Sequence, residues 1–423
     1  MNPIFRVAVL AMLAAANAAD AQPVAISEPV AQPISLDEAL RRTLSTMPEG
    51  RAGAARLEAL AAARRQAGVK PNPSVEVFAE NFPGTGSNAG FDAFNLTGAY
   101  AQPIERGGKR RARVSLAASE IGVAEAELVL ARLDIAARVQ RAHVEAVATE
   151  AEIAVASEKL RGAESLAREV DRRVKAARDP IFAGTRAATR VAEAKVDLEL
   201  AVHAREAAVE RLTALWGGSP DSITVSTADF LRFDEPGKRP DTAAPEAAVV
   251  AARVQRAEAA LAVEQSRRVQ DITLRGGLRY LRPGDDLALV GGFSIPLGRN
   301  DTNRDNVARA QAERRRVDAD AEVAAAQRRR DLAFADEKVH EAALEAVAIR
   351  DRVIPGAERT LAQVREGYAR GGFSYIDVAE AQTALAAARA RLVRAARAHK
   401  EAGVDLDRLT GRFANLTNEM EQR

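Results

Sequence analysis

The residues able to do chemistry are few and widely spaced. Four histidines, His143, His203, His340 and His399, lie in separate stretches with no metal-ligand spacing, so they read as solvated or interhelical residues. There is no cysteine, which removes disulfides, thiolate metal sites and a lipid anchor on a mature N-terminal Cys. No Ser/His/Asp set and no carboxylate dyad stands beside a Gly-rich turn or pocket-forming strand, so neither catalysis nor a cofactor is expected. One acidic pair has positional logic. Asp377 and Glu380 stand three apart, hence on one helical face, just past the turn Arg370-Gly371-Gly372-Phe373-Ser374. Their chemistry is electrostatic: a negative surface for cations, or N-terminal helix acids favoured by the dipole. Charged residues make up 28% of the chain, yet the net charge is only +2. That near-balance argues against nucleic acid as a partner and assigns the Arg and Glu to the wet faces of long helices.

The acidic pair opens a return helix, and the element that leads to it is a long helix, present twice. After Gln102-Pro103 and Gly107-Gly108 the chain runs roughly seventy residues, to about Ala177, without proline and with only Gly122 and Gly162. Such a helix would span about 105 Å, more than a compact domain needs. Within it Val114, Ile121, Leu128 and Ile135 fall seven apart, with Ala117, Ala124 and Ala131 three residues after the first three. This is a seam of large and small residues suited to close antiparallel packing. Ile295-Pro296-Leu297 repeats the approach, and a second helical run follows from about Asp301 to Tyr368. Gly162-Ala163-Glu164 returns as Gly356-Ala357-Glu358, Pro48-Glu49 as Pro245-Glu246, and Arg211-Leu212 as Arg408-Leu409, all offset by about 193 to 199 positions. The chain is an internal duplication.

The division expected is a signal peptide at 1–21, an extended segment at 22–34, repeat 1 at 35–217, a mid-height linker at 218–242, repeat 2 at 243–411 and a tail at 412–423. The signal reading rests on Arg6, the apolar run Val7–Ala16 and the small-x-small sites that follow. Beyond it no run is long enough for a transmembrane helix, so any membrane insertion must use strands. Each repeat reads as helix, hairpin, long helix and half-length return helix. The first half-length helix starts at Leu36, capped by Ser35 with Glu38 in the capping-box position, and is interrupted at Met47-Pro48. Its counterpart runs over Pro245–Gln270. The return helices run from about Gly184 to Trp216 and from Tyr375 to Thr410, after turns at Arg178-Asp179-Pro180-Ile181-Phe182 and Arg370–Ser374.

Four segments alternate as strands, each long enough for a tilted membrane strand. In Ser74–Phe82, Val75, Val77 and Ala79 oppose Glu76, Phe78 and Glu80. In Asp92–Ala101, Phe94, Leu96 and Tyr100 oppose Asn95, Thr97 and Ala99. Ile272, Leu274, Leu278 and Tyr280 oppose Arg275 and Arg279, and Leu287, Leu289, Phe293 and Ile295 oppose Ala288, Val290, Gly292 and Ser294 beyond the loop Arg282–Asp286. The apolar rows are expected to face lipid, and Arg275, Arg279, Glu76 and Glu80 to face a barrel lumen. Two soluble hairpins capping a helical bundle would be the alternative. Open strand edges are not tolerated in hydrocarbon, and eight strands make a barrel filled by its own side chains. A homotrimer is the simplest closure, with a twelve-stranded barrel continuous with a helical barrel.

In this frame Leu36-Asp37-Glu38-Ala39-Leu40, Lys70-Pro71-Asn72-Pro73-Ser74, Gln102-Pro103-Ile104 with Gly107-Gly108-Lys109-Arg110, and Gly367-Tyr368…Asp377-Val378…Ala381-Gln382 stand in order. Together they resemble the TolC family of outer-membrane efflux proteins over the whole mature chain. The Leu215-Trp216-Gly217-Gly218 end and the Pro355-containing helix look most like the outer-membrane component of cobalt–zinc–cadmium efflux systems. The resemblance implies a trimeric outer-membrane conduit of a Gram-negative bacterium. A periplasmic adaptor would dock it to an inner-membrane pump of the resistance–nodulation–division type. It implies a periplasmic gate in which Asp377 and Glu380 line the constriction and Tyr368 belongs to the closing network. Phe373 stands near the second turn, where the family can carry a basic lock. The turns Arg178-Asp179-Pro180 and Arg370-Gly371-Gly372 are the expected adaptor contacts. A type I secretion or drug-efflux duct is the alternative within the class, and a periplasmic coiled-coil adaptor or structural protein the alternative outside it.

Overall fold

The computed structural model describes residues 32–233 and 244–414. The signal peptide, residues 22–31 of the extended segment, residues 234–242 of the linker and residues 415–423 of the tail lie outside them. A two-residue strand, β1 (Gln32–Pro33), opens the described chain and leads to α1 (Leu36–Thr46) and α2 (Pro48–Ala67). The hairpin strands β2 (Ser74–Glu80) and β3 (Asn95–Ile104) follow, then α3 (Lys109–Lys175) and α4 (Ile181–Ala214). After β4 (Ile223–Thr224) the order returns: α5 (Pro245–Ser266), β5 (Ile272–Leu281), β6 (Asp286–Ser294), α6 (Arg304–Ala348), α7 (Ile354–Arg370) and α8 (Tyr375–Thr410). The duplication expected from sequence is thus a duplication of elements.

The long helices obey the composition that announced them. α3 is 67 residues, about 100 Å, and its counterpart is three consecutive pieces, α6 of 45, a π turn of 5 and α7 of 17. The break is local and has a cause. Pro355 has no N–H to give to the preceding turn, and its ring crowds the carbonyl four residues back. The chain widens into the π turn Ile349–Val353 just before it, and the helix continues. The expected heptad seam holds over Ala117 and Ala124, which are buried, and over Ile135, but Ala131 is exposed. A straight helix drifts by about 20° per heptad from a strict seven-residue repeat, so the seam rotates away from its first partner. By this level α3 faces α1 and α4 instead, and Leu133, Ile135, Ala136 and Val139 join Leu40, Val209 and Leu212 in one core.

Several boundaries move. Ile181 and Phe182 form the first turn of α4 rather than the preceding loop, and Asp286 begins β6. Ser35 does cap α1 through Glu38 N–H (3.2 Å), but the Glu38 carboxylate turns to Arg41 and Arg42, leaving half a capping box. The end of the extended segment is paired. β1 runs parallel to β4 of the linker, and Ile34 N–H donates to Thr224 O (2.9 Å). Phe230 of the linker packs on Val147, Ala148, Val393 and Ala396.

The hairpins form one antiparallel sheet in the order β2-β3-β5-β6. Its register puts Val75↔Tyr100, Gly98↔Leu278 and Leu278↔Leu289 opposite one another, so every apolar row falls on one face. Leu289 is 87% exposed there. Phe94 is the exception to the expected strand. It lies in the turn before β3 and packs with Phe82 and Phe91 (centroids 5.5 and 6.3 Å). No helix of the described residues is long and apolar enough to cross a membrane.

Candidate functional site

The two hairpin tips, α3–α4 and α7–α8, carry most of the expected site residues. Both tips close in the same way. Arg178 N–H donates to Arg173 O (2.8 Å), and Gly372 N–H donates to Gly367 O (2.8 Å), each reaching back five residues. This closure needs a left-handed residue one step earlier. Gly371 supplies it at φ 83°, whereas the first tip forces Ala177 to φ 54°. The left-handed position is thus held by glycine in the second tip only.

The residues six apart across each tip touch. In the first tip Arg173 Nε donates to Asp179 Oδ2 (3.1 Å). At the equivalent positions of the second, the Phe373 ring lies on Gly367, where any Cβ would stand 2.0 Å from a ring carbon. Repeat 1 thus closes its tip with an ion pair and repeat 2 with an apolar lid. Phe373 remains 49% exposed.

Tyr368 joins the two tips. It is 3% exposed, and its hydroxyl donates to Asp179 Oδ2 (2.5 Å). Arg173 lies over its ring (4.3 Å to the centroid) and donates through Nη1 to Tyr368 O (3.0 Å). Burial first, then the Asp179 carboxylate, holds the phenol well above the usual tyrosine range, so it stays a donor. Asp179, expected as a docking residue, and Tyr368, expected in the closing network, therefore share one knot. Arg173 is the member sequence reasoning missed. Asp179 is six positions on, but Tyr368 is 195 away, so nothing local marks Arg173 as the residue that joins the tips.

Asp377 has a local role. Its carboxylate accepts from Ser374 N–H and Ser374 Oγ (both 2.7 Å), and its own N–H donates to Ser374 Oγ, a full capping box. The Ser374 hydroxyl, then its amide, holds the Asp377 carboxyl below the usual carboxylate range. Glu380 is exposed one turn on, and Ser374 is a second residue that sequence reasoning left out of the site. Of the docking turns, Arg178, Pro180, Gly371 and Gly372 are exposed, and Arg370 pairs with Glu366. Ile181 (82% exposed) and Phe182 (59%) add an apolar surface beside them.

The expected lumen residues converge on the other face of the sheet. Arg275 pairs with Glu76 (3.3 Å) and Arg279 with Glu80 (3.0 Å), and Arg279 Nε also donates to Thr97 Oγ1 (2.9 Å). Both pairs reach diagonally across β3. They can do so because β3 offers only small residues on that face, and Thr97, Ala99 and Ala101 lie buried beneath the charged side chains. Among the described residues no cluster of three or more His, Asp or Glu could hold a metal.

This architecture has known relatives. The family model "Outer membrane efflux protein" matches residues 39–218. The cobalt-zinc-cadmium resistance protein CzcC of Cupriavidus metallidurans is 28% identical over 90% of this chain and 91% of its own. The nickel and cobalt resistance protein CnrC of the same organism is 28% identical over 78% of this chain and 77% of its own. Among solved structures, CusC superposes with a TM-score of 0.72 at 15% identity, covering 89% of this chain and 91% of its own. The outer membrane protein VceC of Vibrio cholerae does so with 0.68 at 20%, covering 89% and 96%. The chain therefore carries an outer membrane efflux protein domain at residues 39–218, within the fold of the TolC-like outer-membrane channels.

Proposed function

We propose that this chain is the outer-membrane channel of a tripartite efflux system and a passive exit duct for heavy-metal cations. The observation that carries the reading is the sheet. One face is a continuous apolar surface, the other a charged one, and β2 and β6 are left as unpaired edges. Open edges cannot persist in hydrocarbon. Three copies joined β6 to β2 close a twelve-stranded barrel with Arg275, Arg279, Glu76 and Glu80 inside and water to solvate them. The helical hairpins then continue the tube away from the membrane. A periplasmic coiled-coil adaptor would have no use for such a sheet.

In this duct energy comes from an inner-membrane pump, and the chain supplies the path and the gate. The knot of Tyr368, Asp179 and Arg173 ties the α7–α8 tip to the α3–α4 tip and favours the shut state. Three copies of Asp377 and Glu380 stack as acidic rings that favour cations. Mutual repulsion within such rings works against the Ser374 cap, which lowers the Asp377 carboxyl pKa. The exposed tips, with Ile181, Phe182 and Phe373 beside Arg178 and Gly371, are the surface for a periplasmic adaptor. The metal assignment follows the relatives' resistance to cobalt, zinc, cadmium and nickel. Deletion of the gene in its host should lower tolerance to divalent metals while leaving drug tolerance and protein secretion unchanged. Sensitivity to drugs alone would move the chain to another efflux class.

A further inference from the structure

Between the α3–α4 and α7–α8 hairpins, close to the tips, lies a cleft of about 890 Å³. Its wall carries Lys159 and Arg161 from α3, Arg186 and Arg190 from α4, and Arg365 from α7. Lys159 is paired with Asp197 (2.5 Å). Arg186, Arg190 and Arg365 form no ion pair with a carboxylate among the described residues. Arg186 rests over the Phe182 ring (5.3 Å), and Arg190 donates to Ala379 O (3.0 Å) and Thr383 Oγ1 (3.4 Å). Two acids share the wall, Glu158, which Arg389 holds, and Glu193. Positive charge is in excess.

A second observation points the same way. Tyr375, the first residue of α8, lines the cleft and is 6% exposed. Its hydroxyl is buried and has no hydrogen-bond partner among the described residues. A buried hydroxyl left unpaired is destabilising. Burial holds its phenol above the usual range, against the pull of Arg190 and Arg186, so it remains a donor in need of an acceptor.

We propose that this cleft binds a small oxyanion, a phosphate or carboxylate, whose oxygens accept from the Tyr375 hydroxyl and the guanidinium groups of Arg186 and Arg190. Guanidinium forks match such oxygens two at a time, and the phenol adds a third donor from the facing hairpin. The bound ion ties α4 to the start of α8 and so stabilises the two hairpins against each other. The site goes beyond the channel reading: it requires the cleft, whichever substrate the duct carries.

The test uses the purified full chain in detergent, with inorganic phosphate as probe and chloride at equal ionic strength as control. Thermal unfolding is followed by the helical circular-dichroism signal. Phosphate should raise the midpoint saturably where chloride does not. Tyr375→Phe and Arg186→Gln should each raise the half-saturating phosphate concentration about tenfold. Arg211→Gln, which removes a pair with Glu145 outside the cleft, should respond as the parent does. Equal stabilisation by both anions overturns the proposal. So does an unchanged half-saturation in Tyr375→Phe, a variant that keeps the ring and its packing. Conduction is not measured, so failure here leaves the channel reading standing.

Discussion

At the scale of single residues, the tips hold the functional argument in one hydroxyl and one cap. Tyr368→Phe deletes the bond to Asp179 and keeps the ring under Arg173. Such a loss costs about 1.5–3 kcal/mol when the acceptor is charged, although Arg173 stays to neutralise Asp179. Basal conductance in planar bilayers should rise, and a silent variant would separate the knot from the gate. Asp377 needs a gentler probe than alanine, because removing its carboxylate also removes the cap of α8. Asp377→Asn with Glu380→Gln changes the charge and keeps the shape, and should abolish both cation preference and the block by divalent ions that acidic rings produce. If both survive, the constriction lies elsewhere. The capped carboxylate also has a pH signature. Its folded-state pKa lies below the usual 3.8, so its contribution is complete above that value and is lost as pH falls through the lower one. The helical signal at the α8 terminus should therefore weaken only below about pH 3.8, and this acid step should vanish in Ser374→Ala.

At the scale of elements, the sequence was readable wherever one period ran unbroken. Period two in β5 and β6 placed Arg279 and Leu289 on opposite faces, and the register confirms it. Ala-, Arg- and Glu-rich stretches without proline gave the long helices, and the matched landmarks gave the duplication. What escaped was non-local. Arg173 meets Tyr368 only because two hairpins lie side by side, and the orphaned hydroxyl of Tyr375 is visible only once α4 covers it. The π turn escaped too, since Pro355 could as well have kinked or ended the helix. Phe94 left its strand because an aromatic trio at the loop outweighed the alternation. The sheet itself yields a sharp contrast. Leu289→Arg, near the middle of the apolar face, should cost about 2–4 kcal/mol of barrel stability. Arg279→Leu leaves Glu80 unpaired but wet, and an exposed pair is worth about 0–1 kcal/mol. Urea unfolding of the two variants in lipid should separate them clearly, and equal damage would refute the assigned faces.

At the scale of the whole molecule, one chain is an unfinished surface. Its sheet ends in two free edges. Val196 (53% exposed) and Leu200 (62%), one helical turn apart on α4, leave an apolar pair in solvent. An interface that joins one edge to a different edge is head-to-tail, and it either closes into a ring or grows without limit. Strand number decides which. Four strands per copy make an eight-stranded barrel from two copies, too narrow for water, and a twelve-stranded one from three. In such a ring the equal reach of α3 and of α6 with α7 would give the helical wall one height. Cysteines placed singly along β2, at Val75 or Val77, and paired with one along β6, at Leu287 or Leu289, test this directly. In the correct register, oxidation in outer-membrane vesicles should produce covalent dimers and trimers and then stop. Dithiothreitol should collapse the ladder to monomer. A ladder that continues past three would show a filament rather than a ring, and crosslinks at no register would mean that these edges do not meet.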